Sequence, residues 1–428
     1  MGMKEDVRSM KLAAPDMASS PEVVRNAALA AIAEKLEQEK DRIFAANRAD
    51  LEAAETAGVA QSVQKRLRFD THKLEDVKSG IAQLIRLPDP LGKVTLAREL
   101  ADGLSLYRTT CPIGVIGVIF EARPDAMVQI STLCIKSGNC AVLKGGKETA
   151  NTNRVLFEII RDAAVQAGLP EKCLLQAELH AEIDELLSCD REVDLLIPRG
   201  SNAFVRYIMD HTKIPVMGHA DGICHIYVDE VYDAAEELRI LVDAKTQYPA
   251  ACNAVETILV KRDLAADFLA QLAAAMQQAG VKVNATKEVC DLVPEAQMGL
   301  LADDDFSREY LDLAVSVKLV EDVKEAVGHI NYYGSHHTDS ILTKDEAHAA
   351  LFMQMVDSAG VYQNCSTRFA DGFRYGFGAE VGISTGKIHA RGPVGLEGLV
   401  TYKYKLFGHG DIVGDFASGN RSFTHKDL

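Results

Sequence analysis

The chain has no apolar run longer than a strand, which excludes a membrane-spanning helix. It has no basic excess either. Its 46 Lys and Arg stand against 62 Asp and Glu, a net charge of −16 with a pI near 5.3. No positive face is left over for nucleic-acid phosphates. Its nine cysteines, an odd number, contain no C-x-x-C pair. That fits a reducing compartment rather than a disulfide framework. The opening MGMKEDVRSM lacks the apolar core of a signal peptide, and Asp6 stands where a myristoylation site wants Ser or Thr. The closing HKDL, without an entry signal, is no retention address. A cytoplasmic protein is the expectation.

Nucleotide-binding glycine signatures are also missing. No G-x-G-x-x-G follows a strand-like run, and the pairs Gly376/Gly378 and Gly408/Gly410 come too late for a βαβ unit to follow. The stretch 382-GISTGKI-388 has the wrong spacing for a phosphate loop. His336 and His337 have no cysteines or carboxylates at a recognisable spacing, so no metal site is expected. There is no internal repeat and no low-complexity linker.

What is present is a globular chain of 428 residues, 47% hydrophobic and 25% charged, long enough for two or three domains. Ser20-Pro21-Glu22 predicts a capped helix start, with helical sequence through Ala45 and on to Gly58. A second helical region covers roughly 62–86, ahead of Pro88 and Pro90. From 91 to 110, alternation on both sides of Asp102-Gly103 predicts a hairpin. Strands are then expected at 114–120, 139–145, 174–179, 193–200 and 223–229, with helices between, which implies a parallel sheet covered on both faces. A second α/β set follows Asp233, with strands after Cys252 and at 315–320, 339–343 and 360–364. A final alternating strand covers 399–407.

Polar residues gather where strands end, the usual place for ligands on parallel sheets. In 139-NCAVLKGGKETA-150, Lys144 closes an apolar strand, and Gly145 and Gly146 let a ligand approach before Lys147. A solvated loop is the equal alternative. In 197-IPRGSNAFVRYI-208, Gly200 and Ser201 precede a helix whose free N–H groups suit an anion, and simple capping by Ser201 is the plainer reading. Cys252 lies in AACNA, a small-residue turn between a helix and a strand. Free cysteine is usually a packing residue, yet a turn of this kind can present a thiolate.

Together 112-PIGVIGVIFEARPD-125, 142-VLKGGKE-148, 197-IPRGSN-202, 215-PVMGHADGICHIYVDE-230, 248-YPAACNAVETILV-260, 361-VYQNCSTRF-369 and 391-RGPVGLEGLVTYKYKL-406 resemble the gamma-glutamyl phosphate reductases of the aldehyde dehydrogenase superfamily. The resemblance runs from about residue 20 to about 410. It implies reduction of L-glutamyl 5-phosphate by NADPH to glutamate 5-semialdehyde, in proline biosynthesis, with Cys252 as nucleophile. It also implies an aldehyde dehydrogenase-like α/β fold with a Rossmann-type cofactor domain, an α/β catalytic domain and a small β oligomerisation unit.

Two departures from hydrolytic relatives bear on chemistry. Arg123 replaces the asparagine that precedes proline in 120-FEARP-124, and a cation suits a phosphorylated substrate. The stretch 217-MGHADG-222 has Gly218 and His219 but lacks the general-base glutamate that would activate water against a thioester, and its absence fits a reductase. Where NAD-preferring relatives carry an acid, Lys147 favours the 2′-phosphate of NADP. The resemblance further implies cofactor contacts from Lys144, Gly145, Gly200, Ser201 and Glu309, and substrate contacts from Asn253, His219 and Arg368, the last for the α-carboxylate. Expected domains are 1–90 with 112–230 for NADP, 231–398 for catalysis, and 91–111 with 399–428 for homo-oligomerisation, the hairpin and last strand having no evident intradomain neighbours. Glutamate 5-kinase is a possible functional partner.

Overall fold

The computed structural model describes residues 2–428 apart from Ala60, His180, Ala220, Ala265, 302–304, Gly378 and Ala379. The chain divides into two units. One holds Met1–Met217, Phe377–Gly382 and Val394–Leu428; the other holds Gly218–Gly376 and Ile383–Pro393.

In the first unit the strands are β1 (Val94–Ala101), β2 (Leu104–Pro112), β3 (Val115–Phe120), β4 (Cys140–Lys144), β5 (Leu174–Ala177) and β6 (Leu195–Arg199). The last four form a parallel sheet in the order β5-β4-β3-β6. Every residue of β3 and β4 is buried. Covering on both faces is why these segments read as unbroken apolar runs.

Buried cations fasten the surrounding helices. Lys136 Nζ reaches Glu22 Oε1 at 3.0 Å and Asn26 Oδ1 at 2.9 Å. Arg25 pairs with Asp89 at 2.6 Å and donates to the Lys136 carbonyl. The expected cap at Ser20 is corrected. A helix over Met3–Ser19, unforeseen in the sequence, runs up to it, and Ser20 Oγ donates back to the Asp16 carbonyl at 3.1 Å. The next helix, Glu22–Gln38, starts after Pro21 and gives way at Glu39 to Lys40–Thr56.

The second unit contains β7 (Cys224–Val228), β8 (Val255–Lys261), β9 (Lys282–Ala285), β10 (Gly299–Leu300), β11 (Ala314–Val320), β12 (Thr338–Leu342) and β13 (Gly360–Gln363). They form one parallel sheet, ordered β10-β9-β11-β8-β7-β12-β13. The boundary therefore falls after Met217 rather than after residue 230. The strand expected at 223–229 bonds to β8 and β12 and belongs to this second sheet.

Two short strands, β14 (Gly382–Ser384) and β15 (Gly392–Val394), pair with each other. Then β16 (Val400–Phe407) and β17 (Lys426–Asp427) complete an antiparallel sheet, β16-β2-β1-β17. The hairpin and the last long strand, expected to lack intradomain neighbours, are neighbours of each other, in register from Val400↔Pro112 to Phe407↔Ser105. The face of β16 carrying Tyr402, Tyr404 and Leu406 is left exposed, and so is Phe407 on the other face. Among the described residues no helix is long and apolar enough to cross a membrane.

One ion pair lies wholly inside the second unit. Lys245 Nζ meets Glu256 Oε2 at 2.8 Å, both side chains fully buried. Burial raises the Glu256 carboxyl to about 7, with Lys245 pulling the other way. A carboxyl raised in the fold contributes most below its ordinary value and loses that contribution as pH climbs through the raised one. Lys245→Met should strand this group and cost about 3–5 kcal/mol near neutral pH, whereas Lys245→Met with Glu256→Leu should recover most of the loss. Denaturant unfolding of the two variants measures both. An equal loss in single and double variants would assign the cost to packing rather than charge.

Candidate active site

The helix Ala234–Thr246 is followed by two tight turns, closed by Ala251 N–H on the Tyr248 carbonyl at 3.2 Å and Ala254 N–H on the Ala251 carbonyl at 2.9 Å. They set Cys252, half-buried, just ahead of β8. Small residues permit a close approach here. A methyl group on Gly222 would sit 2.5 Å from Cys252 Cα and 2.6 Å from Glu309 Oε1. Glu309 is thus brought to the turn holding the thiol.

The thiol has a neighbour that sequence spacing did not reveal. His337 Nε2 lies 3.2 Å from Cys252 Sγ, and His337 Nδ1 lies 2.9 Å from Thr338 Oγ1. His337 is only 1% exposed. His219 stands edge-on to it, ring centroids 5.1 Å apart, and its Nδ1 is 3.0 Å from the Ile383 carbonyl, to which it donates. Donor atoms of His219, Cys252 and His337 all lie within 4.8 Å of one another. The paired histidines were expected to lack a cysteine partner; one exists, 85 positions away in the chain. Only the pairing of β7 with both β8 and β12 brings it there.

Asn253 turns inward. Its Nδ2 donates to the Ala370 carbonyl at 2.8 Å, and Thr367 Oγ1 donates to its carbonyl at 2.7 Å. It ties the turn Thr367–Phe369 to the cysteine loop. On that turn Arg368 is 8% exposed, its Nε donating to Gln247 Oε1 at 2.9 Å. Burial lowers the Arg368 guanidinium from its usual value, Arg374 acts the same way, and the charged form of Cys252 opposes them. Cys224, at the start of β7, donates its thiol to the Cys252 carbonyl at 3.4 Å. Burial, then Asp339, pushes that thiol well up, so it stays protonated.

The remaining predicted residues lie in the first unit, at the carboxyl ends of β3, β4 and β6. Lys144 is buried, its Nζ donating to the Gly145 carbonyl at 2.7 Å, and burial lowers its ammonium from the ordinary range. A methyl on Gly145 would stand 2.9 Å from Asn153 Cγ. Lys147 is exposed at the head of the turn Lys147–Thr149. Next to these, the Ser201 N–H donates to Glu121 Oε2 at 3.0 Å, and Gly200 has no room for a side chain against that carboxylate. An anion does sit at this helix start, and it is the protein's own. Ser201 does not cap with its hydroxyl. Arg123, at the N-cap of Pro124–Lys136, lies 3.5 Å from Asp125, which Lys73 also approaches at 3.4 Å.

A cysteine displayed on a small-residue turn in one α/β unit and a cationic strand-end loop in another are features of an aldehyde dehydrogenase-type oxidoreductase, and the model of the aldehyde dehydrogenase family matches residues 2–305. Full-length relatives narrow this further. The chain is 53% identical to gamma-glutamyl phosphate reductase of Pelotomaculum thermopropionicum, over all of this chain and 98% of that one. It is 52% identical to the Acetivibrio thermocellus enzyme of that name, over 100% and 99%. The crystal structure of gamma-glutamyl phosphate reductase from Thermotoga maritima superposes with a TM-score of 0.93 at 36% identity, covering 96% of this chain and 100% of the other. An acetylating aldehyde dehydrogenase from Geobacillus thermoglucosidasius, 15% identical with a TM-score of 0.65 over 96% and 97%, shares the fold. The chain belongs to the aldehyde dehydrogenase family and, within it, to the gamma-glutamyl phosphate reductases.

The Gly222 contact yields a direct test. Gly222→Ala forces the Cys252 turn or Glu309 to move, at a cost of about 1–3 kcal/mol in stability. The expected result is a lowered unfolding midpoint together with slower alkylation of Cys252. A stable variant with unaltered alkylation would mean the two segments are not held in contact.

Proposed function

We propose that the chain reduces L-glutamyl 5-phosphate to L-glutamate 5-semialdehyde and phosphate through a thioester on Cys252, with NADPH as reductant. The observation that carries this is the half-buried thiol of Cys252, displayed on a small-residue turn with an imidazole at 3.2 Å. The names of the full-length relatives supply the substrate.

An acyl phosphate is a good acyl donor, and a thiolate displaces phosphate from it to leave a thioester. The tetrahedral oxyanion needs a donor, for which the Cys252 backbone N–H stands first. Arg368, held by Gln247 near the thiol, suits the α-carboxylate of the glutamyl group. Arg123 suits the phosphate. His219 and Asn253 complete the substrate side, Asn253 by holding the Arg368 turn in place.

Bound NADPH supplies the hydride that converts the thioester to the aldehyde. The strand-end loops suit such a ligand: the close-packed Gly145 and Gly200 bring backbone forward where a side chain has no room, and exposed Lys147 offers a cation to a 2′-phosphate. Lys144 and Ser201 line the same end of the sheet, with Ser201 N–H engaged by Glu121, and Glu309 is the candidate for the ribose beside the nicotinamide. The exposed apolar face of β16 supports a homo-oligomer built on 91–111 and 399–428. A cytoplasmic location, with glutamate 5-kinase as the source of the acyl phosphate, completes the reading.

The reverse reaction tests the chemistry. Without the general-base glutamate of hydrolytic relatives, NADP-dependent oxidation of glutamate semialdehyde should require phosphate or arsenate and lag by about 10²–10⁴-fold in their absence. Cys252→Ala should abolish turnover while the fold persists. Brisk oxidation in phosphate-free buffer, or normal turnover by the Ala variant, would sink the thioester mechanism.

Cofactor choice has its own test. Lys147→Glu removes one charge-assisted contact, about 1.5–3 kcal/mol, so NADPH affinity should fall roughly 10- to 100-fold while NADH gains. An unchanged ratio would hand the reading of the phosphate to Lys144 or another residue.

A further inference from the structure

A thiol attacks an acyl phosphate only as its thiolate, so Cys252 needs a proton acceptor in reach. We propose that His337 is that acceptor, a catalytic residue that holds Cys252 as thiolate opposite imidazolium. The assignment rests on the reading of Cys252 as the nucleophile.

The histidine is built in rather than merely nearby. The residue before it, His336, takes a left-handed φ of 59°, uncommon without glycine, and its Nδ1 donates to the Asp357 carbonyl at 2.6 Å. Ala359 and Gly360 N–H groups donate to the carbonyls of His336 and His337 at 2.9 and 3.0 Å. The backbone is pinned on both sides, Thr338 Oγ1 fixes Nδ1, and Nε2 points at sulfur. Nucleophile, base and orienting group in sequence are the arrangement that activates a thiol. A packing histidine needs its ring buried but has no need of a nucleophile on its second nitrogen.

The other titratable groups facing the pair come from every neighbouring segment. His219 stands edge-on, and Cys224 is held protonated by burial. Asp339, further along β12, is engaged by His225 and Ser358. Glu309 borders Gly222, and Arg368 lies on the turn that Thr367 ties to Asn253.

The proton and electrons balance as follows. The S–H proton moves to His337 Nε2, and the sulfur pair forms the C–S bond. The C–O bond to phosphate breaks with its pair on the phosphate, which takes the proton from Nε2. When the hydride has added to the acyl carbon, the C–S pair returns to sulfur and the aldehyde leaves. One solvent proton restores His337 and Cys252, so each turnover consumes one proton.

Alkylation of the resting enzyme by iodoacetamide, with Cys252 identified by peptide mass, tests this without substrate or cofactor. The wild type should react near its full rate at pH about 6.5. In His337→Ala and in His337→Gln, which fills the space but takes no proton, an ordinary thiol is only about 1% ionised there, so reaction should be roughly 10- to 100-fold slower and converge with wild type at high pH. Turnover should fall about 10²–10⁴-fold at neutral pH and recover in part as pH rises. Thr338→Val should shift the alkylation profile in the same direction by less. If either folded His337 variant overlays the wild-type profile, the assignment is wrong; the Gln variant decides should Ala not fold. An active Cys252→Ala enzyme would instead overturn the nucleophile while leaving the alkylation result intact.

Discussion

The candidate site depends on one close approach of backbone to backbone, that of Gly222 to Cys252. No side chain fits between them, so Gly222 and the Cys252 turn hold each other in register. Everything else at the thiol is fastened to one of these two segments. Cys224 and Ile223 continue from Gly222 into β7, where Cys224 donates its thiol to the Cys252 carbonyl and Ile223 N–H donates to Ser335 Oγ at 2.8 Å. Thr367 and Asn253 tie the Arg368 turn to the other side. The candidate nucleophile, on a loop, is thereby given the rigidity of the sheet beneath it, which is what placement to within a fraction of an ångström demands.

The two sheets offer opposite ends to chemistry. In the first unit the candidate residues follow β3, β4 and β6, at the carboxyl ends where ligands of parallel sheets ordinarily gather. In the second, Gly222, Cys252 and His337 precede β7, β8 and β12, at the amino ends. Strand-end reasoning therefore finds Lys144, Gly145, Lys147, Gly200 and Ser201, and is silent about Cys252. The small-residue turn, not its position on the sheet, marks that thiol.

Most strands were legible because burial on both faces writes itself as an apolar run; β3 and β4 are the plainest cases. Which sheet a strand joins was not legible. The segment 223–229 has the same helical punctuation as its predecessors, and only its bonds to β8 and β12 place it in the second sheet. His337 was hidden for a related reason. Local spacing cannot show a partner 85 residues away, brought close by the pairing of strands. Ser20 misled differently: a hydroxyl before Pro-Glu is a good cap, but a preceding helix had already claimed it. Glu121 at the start of the helix Asn202–Asp210 could not be foreseen, since its segment carries no sign of facing Ser201.

In the proposed mechanism, a base beside the nucleophile and protection of the thioester pull against each other. An imidazole that has passed its proton to phosphate is neutral, and a neutral imidazole can activate water. Geometry separates the two roles. To take the thiol proton, Nε2 must face sulfur, as it does at 3.2 Å. To activate water, it must face a water lined up on the acyl carbon. His337 is almost wholly enclosed, with Thr338 on its other nitrogen, so its ring has little freedom to turn from one task to the other. His219 is half-buried and is held by the Ile383 carbonyl on Nδ1, leaving Nε2 as its basic atom when neutral. Of the two histidines His219 is therefore the less enclosed, and with the general-base glutamate missing from 217–222, hydrolysis through an imidazole would run there rather than at His337.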